Sequence, residues 1–158
     1  PVNYEHKNTG RPKVESQRYT SKYIDGPNKP LYPFGYGLSY TSFEYSKPSL
    51  SQKQIHFDET LRVEVDVQNI GDRSGEEVVQ MYVRDMVGSV TRPVKELKGF
   101  KKIALEPGET QTVTFDIRAE DLTFYTKDME YKAEPGDFKV FTGSSSEDIQ
   151  SADFKLVR

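Results

Sequence analysis

Cysteine and tryptophan are both missing from the 158 residues. Without cysteine there is no disulfide, no thiolate metal site and no cysteine nucleophile. Cysteine-free chains occur in every compartment, so redox environment stays open. No apolar run approaches the roughly 18 residues that a membrane helix needs. An excess of one charge sign is missing as well, with 22 Lys and Arg against 25 Asp and Glu. The net charge of −3 argues against nucleic acid as a partner, because a phosphate backbone selects Lys/Arg-rich surfaces. The chain opens Pro1-Val2-Asn3-Tyr4 with neither an initiator methionine nor a signal-peptide pattern, and is read as a piece excised or processed from a longer protein.

What is present divides near residue 45. Seven of the ten tyrosines and five of the nine prolines lie at or before Tyr45, but only two of the fourteen valines do. The first stretch therefore lacks the β-branched alternation of strands and the 3.6-residue stripe of helices. Its aromatics distinguish it from a disordered tail. Residues 1–42 are read as an extended, aromatic-rich arm that packs on the following domain, on a neighbouring one, or on both.

Residues 43–158 carry regular strand signals. Leu61, Val63, Val65 and Val67 alternate with Arg62, Glu64, Asp66 and Gln68, the period of two that gives a sheet one apolar and one polar face. Val79, Met81 and Val83 share a face in the next run. Leu97, Phe100, Ile103 and Leu105 follow, with Gly99 marking a bulge or bend. Val113, Phe115 and Ile117 alternate again. Ala119 to Leu122 reads as one helical turn, Met129 to Ala133 as a short strand, and Phe138 with Val140, then Ala152, Phe154 and Leu156, as the closing strands. Pro107-Gly108 and Pro135-Gly136 supply turns. About seven or eight short strands with frequent turns make an all-β sandwich, immunoglobulin-like or fibronectin-III-like. Without a Cys-Trp-Cys core, an antibody-type domain is disfavoured.

No motif for chemistry stands out. His6 and His56 have no second histidine at metal-ligand spacing, and no Gly-x-Ser-x-Gly elbow marks a serine nucleophile. Glu76 and Glu77 are adjacent, so a strand aims them at opposite faces. Glu64 and Asp66 share the polar face, where nothing desolvates a carboxyl enough to make it a general acid. Asp58-Glu59, Glu120-Asp121 and Glu147-Asp148 are loop acids without the spacing of a calcium hand. Gly35-Tyr36-Gly37 has two glycines of a dinucleotide fingerprint, but Tyr40 stands where the third belongs. No catalytic residue, metal ligand or cofactor is expected. Tyr32, Phe34, Tyr36 and Tyr40 are the candidate binding residues, as ring faces for sugar stacking or for packing between domains.

The run Leu31-Tyr32-Pro33-Phe34-Gly35-Tyr36-Gly37-Leu38-Ser39-Tyr40-Thr41 resembles the signature that follows the second domain of family 3 glycoside hydrolases, notably β-glucosidases. His6-Lys7-Asn8-Thr9-Gly10-Arg11-Pro12 is similar to the segment just upstream. Val79-Gln80-Met81-Tyr82-Val83, Arg92-Pro93-Val94-Lys95-Glu96-Leu97-Lys98-Gly99-Phe100 and Glu134-Pro135-Gly136-Asp137-Phe138 resemble that family's fibronectin-III-like domain. The resemblance implies a retaining parent enzyme with a barrel domain, an α/β domain and then this module, acting on terminal β-linked glucose or xylose. It places the nucleophilic Asp and the acid/base Glu upstream of this chain. It implies a periplasmic or secreted location. The parent's own catalytic domains are the expected partner, and carbohydrate or a second copy in a homodimer are further ones. Membrane and nucleic acid are not expected. An independent carbohydrate-binding module and an extracellular spacer are the competing readings.

Overall fold

The structure is a computed structural model that describes residues 3–8, 10–11, 14, 16–17, 19–23 and 25–158. Pro1 and Val2 of the opening, and Thr9 and Pro12 of the upstream motif, lie outside the described residues. Among the described residues eleven strands form, in the order β1 (Phe43–Tyr45), β2 (Ser49–Leu50), β3 (Gln54–Ile55), β4 (Leu61–Asn69), β5 (Gly75–Asp85), β6 (Glu96–Leu105), β7 (Thr110–Ile117), β8 (Phe124–Tyr125), β9 (Tyr131–Lys132), β10 (Gly136–Gly143) and β11 (Ile149–Leu156). Six of them run eight residues or more. The other five are two or three residues long, which is why the count exceeds the seven or eight legible from periodicity.

The long strands build two facing sheets. In one, β4 pairs with β7 along its whole length, Leu61 opposite Ile117 through Gln68 opposite Thr110. Its other edge is shared by β1 and β2. Pro48 separates those two because it has no N–H to give a ladder. The second sheet has the order β3-β11-β10-β5-β6. All its neighbours are antiparallel except β3 and β11.

Period-two alternation becomes burial directly. Leu61, Val63, Val65 and Val67 point into the sandwich and are buried, as are Val79, Met81 and Val83 from the facing sheet. Phe138 and Phe154 stack at 5.3 Å in the same core. On the opposite face of β4, Arg62 pairs with Asp116 across the ladder at 3.3 Å, and Asp66 accepts a hydrogen bond from Thr112 at 2.6 Å. Glu64 and Asp66 stay exposed on that face. The β5–β6 register slips between Met81 and Tyr82, beside Gly99. A side chain at Gly99 would come within 3.2 Å of the Phe115 ring, so the bend lets β6 lie close to the core. The single helical turn is a 3₁₀ helix, Ala119–Leu122, whose Asp121 carboxylate accepts a hydrogen bond from the Arg118 N–H at 2.8 Å.

Candidate functional site

The site begins on β5, at two residues that break the alternation. Val79, Met81 and Val83 face the core, so Gln80 and Tyr82 face outward, yet they are only 5% and 0% exposed. The arm covers them. Tyr4 stacks on Phe34 at 4.2 Å and meets the Tyr82 ring edge-on at 5.8 Å. Further along, Lys7 forms an isolated bridge with Pro93, and the Val94 N–H donates to the His6 carbonyl at 2.9 Å.

Gln80 fastens the arm. Its Nε2 donates to the Gly35 carbonyl at 3.0 Å and the Ser144 carbonyl at 2.6 Å. Its Oε1 accepts from the Tyr82 hydroxyl at 2.5 Å. The Ser146 N–H donates to the Phe34 carbonyl at 2.8 Å, and the Lys95 ammonium donates to the Ser146 carbonyl. One buried amide thus joins β5, the arm and the loop between β10 and β11. All of its hydrogen-bonding groups are engaged, as burial requires.

Beside this fastening lies a groove of about 650 Å³, bounded by residues 34–39, by β5 and β6, and by the 144–148 loop. That size suits a small ligand or a side-chain cluster, roughly 300–1,000 Å³. Phe34, Tyr36, Leu38 and Phe100 give it apolar walls, and Glu76, Glu77 and Asp148 contribute carboxylates. Among the described residues, none that lines it is Lys, Arg or His. Glu76 reaches away to Lys102 at 2.6 Å. Glu77 turns the other way, as strand alternation demands, and accepts from the Tyr45 hydroxyl at 2.6 Å. Asp148 accepts from the Ser144 hydroxyl at 2.7 Å.

Burial raises the Glu77 carboxyl above its ordinary value of 4.5; the Tyr45 hydrogen bond opposes that shift and the Asp148 charge adds to it. Burial first, and then the bond to Glu77, pushes the Tyr45 phenol far above its usual range. The raised Glu77 has a stability consequence. As pH climbs past 4.5 the unfolded carboxyl ionises first while the folded one keeps its proton, so stability falls with pH until the folded group has also ionised. Glu77→Gln retains an acceptor for Tyr45 and cannot ionise. The variant is expected to melt above the parent at pH 7, with the gap closing as pH falls below the ordinary carboxylate range. Thermal melts at pH 4 and pH 7 check this; a variant less stable than the parent at pH 7 contradicts it.

Of the residues singled out from sequence, Phe34 and Tyr36 line the groove. Tyr32 packs on Tyr36, ring centroids 5.3 Å apart and planes tilted by 41°. Tyr40 projects outward, 93% exposed. Sequence reasoning did not place Gln80, Phe100 or Asp148 in a site, reading Phe100 as a strand residue and Asp148 as a loop acid. The signal for Gln80 was a tyrosine two residues on, sharing its outward face. His6 hydrogen-bonds the Lys7 carbonyl and His56 the Arg158 carbonyl through Nδ1. Among the described residues, no group of three or more His, Asp or Glu side chains is arranged to hold a metal ion.

Residues 77–146 match the family model of the fibronectin type III-like domain. The chain is 49% identical over 159 residues to a periplasmic β-glucosidase of Salmonella typhimurium, an alignment covering 99% of this chain and 21% of that protein. It is 46% identical over 138 residues to a putative β-xylosidase of Formosa agariphila, covering 87% of this chain and 18% of that one. The crystal structure of a Listeria innocua β-glucosidase in complex with glucose superposes with a TM-score of 0.93 at 46% identity, over 99% of this chain and 22% of that chain. The chain therefore spans about a fifth of the length of the relatives it matches.

Proposed function

This chain belongs to the family 3 glycoside hydrolases as their fibronectin type III-like module, and we propose that it serves as a non-catalytic C-terminal accessory module of a β-glucosidase-like enzyme. In this reading residues 1–42 are the interdomain arm and 43–158 the sandwich. The parent hydrolyses terminal β-linked glucosyl or xylosyl residues with catalytic groups that lie in the other four-fifths of its length. The module braces those domains, with a share in shaping the cleft or in a homodimer contact. The periplasmic relative supports a periplasmic or secreted location.

One observation carries the reading. The inner side of the arm is fastened to the sandwich through Phe34, Gly35 and Gln80, while its outer side leaves Leu31, Tyr32, Leu38 and Tyr40 in solvent. A segment pinned on one side and apolar on the other is built to lie between two bodies. Burying a large apolar side chain contributes roughly 1.5–3 kcal/mol, so Leu31 and Tyr40 together supply about 3–6 kcal/mol of docking energy. The full-length enzyme with Leu31→Ser and Tyr40→Ser is expected to lose activity at a lower temperature than the parent. The isolated chain with the same changes should melt where its own parent does, and neither form of the isolated chain should turn over an aryl β-glucoside. Unchanged heat stability of the full-length variant, or turnover by the isolated chain, overturns the accessory reading.

Carbohydrate contact through Tyr32, Phe34, Tyr36 and Tyr40 is the second reading, favoured by the exposed, touching rings of Tyr32 and Tyr36. Titration of the chain with cello- and xylo-oligosaccharides, repeated on Tyr36→Ala, separates the two.

A further inference from the structure

We propose that the groove walled by Phe34, Tyr36, Leu38 and Phe100, with Glu77 and Asp148 in its lining, is a docking slot for an apolar segment of the parent's catalytic part that carries an arginine. The inference rests on the accessory reading and names the chemistry of the contact.

The walls call for apolar atoms. Leu38 is 89% and Phe100 66% exposed, and both line the same groove rather than lying scattered, which marks an interaction site more than an ordinary surface residue does. The polar lining calls for a cation. Several hydrogens in and beside it are already committed: both amide hydrogens of Gln80 go to carbonyls, the Ser144 hydroxyl goes to Asp148, and the hydroxyl of the neighbouring Tyr45 goes to Glu77. Besides the hydroxyls of Tyr36, Ser39 and Ser145, the lining offers carboxylate oxygens and ring faces.

Neutral sugar hydroxyls would leave the carboxylate charges of the lining unpaired, which a cation does not. A guanidinium has five donors, no acceptor, and a flat face that stacks on aromatic rings. Arginine is preferred over lysine here because Tyr36 and Phe100 present ring surface as well as the carboxylates. Of the three acids, Glu76 is neutralised by Lys102. Glu77 and Asp148 are left with like charges that repel, one of them desolvated, and an incoming cation relieves both penalties. The relatives supply the occupant's source, since about four-fifths of their length lies outside the matched region.

The test is nuclear magnetic resonance titration of this chain with the peptide acetyl-Leu-Arg-Leu-amide. Its neutral isostere, with citrulline for arginine, and methyl β-D-glucoside are run beside it. Saturating shifts at the backbone amides of Glu77, Phe100 and Asp148 are expected with the arginine peptide. Binding should weaken about fivefold or more with the citrulline peptide, and similarly for Asp148→Asn, which keeps an acceptor for Ser144. Added salt should weaken it further. Equal binding of the citrulline peptide, no saturable response to either peptide, or shifts at these amides produced by the glucoside overturns the proposal. Because neither Leu31 nor Tyr40 lines the groove, a failure here leaves the heat-stability test of the accessory reading independent.

Discussion

Replacing Asn69 with alanine is expected to lower the melting temperature by on the order of 10 °C. Asn69 closes β4, and its side chain is wholly buried at 0% exposure. Nδ2 donates to the Arg73 carbonyl at 2.7 Å and the Leu105 carbonyl at 3.0 Å. Oδ1 accepts from the Thr41 hydroxyl at 2.7 Å and the Gly71 N–H at 3.1 Å. One amide therefore ties the end of β4 to the turn that follows, to the end of β6 in the opposite sheet, and to the base of the arm. Its backbone is engaged too, with N–H to Glu109 and carbonyl from Gly108, both at 2.9 Å. Alanine deletes four bonds and leaves buried groups without partners, each worth roughly 1–3 kcal/mol when orphaned. With compensation from relaxation and water, a loss of about 3–5 kcal/mol is expected, a large part of the roughly 5–15 kcal/mol that holds a domain folded. Asn69→Asp keeps the shape and the acceptor but turns a carboxylate toward two carbonyls, and should do no better. Thermal and urea melts of the variants decide it; a shift of under about 2 °C for the alanine variant would falsify the network's role.

Gly35→Ala is expected to release the arm at a cost of about 2–4 kcal/mol. Gly35 has φ +78°, the left-handed region where a side chain is strained, and a Cβ there would sit 1.9 Å from Gln80 Oε1. Gln80 cannot retreat without giving up Tyr82 on one side and Gly35 and Ser144 on the other. Limited proteolysis reads the result: cleavage within residues 20–40 should become much faster while the sandwich stays intact. Gly37→Ala is the control, because nothing lies within 4 Å of a Cβ at that position. If Gly35→Ala and Gly37→Ala are cut at the same rate as the parent, the Gln80 fastening does not hold the arm.

The sandwich was legible wherever a strand has one wet and one dry face. The apolar residues of β4 and β7 alternate with polar ones, so their core positions followed from side-chain order alone. The short strands were less legible, because two residues carry no period. β8 went unassigned, and the expected strand from Met129 to Ala133 contracted to Tyr131–Lys132, with Met129 in a turn at φ 61°. The candidate site was legible in composition but not in placement. An aromatic arm announced that it would cover something, yet what it covers is set by contacts far apart in sequence. Gln80 to Gly35 and Ser146 to Phe34 leave no local trace. Gln80 looked like an ordinary polar residue on an outward face, and Ser144-Ser145-Ser146 like an ordinary loop.

Those long-range contacts also set an order of events. Synthesis makes the arm before the sandwich, so the groups that receive it arrive later. Gln80 appears near the middle of the chain, and Ser144 and Ser146 within its last fifteen residues. Until that loop has emerged, Phe34 and Gly35 have only part of their seat, and their rings and carbonyls wait in water. The arm is therefore made before its seat and settles after it, and its settling records that the sandwich behind it has closed.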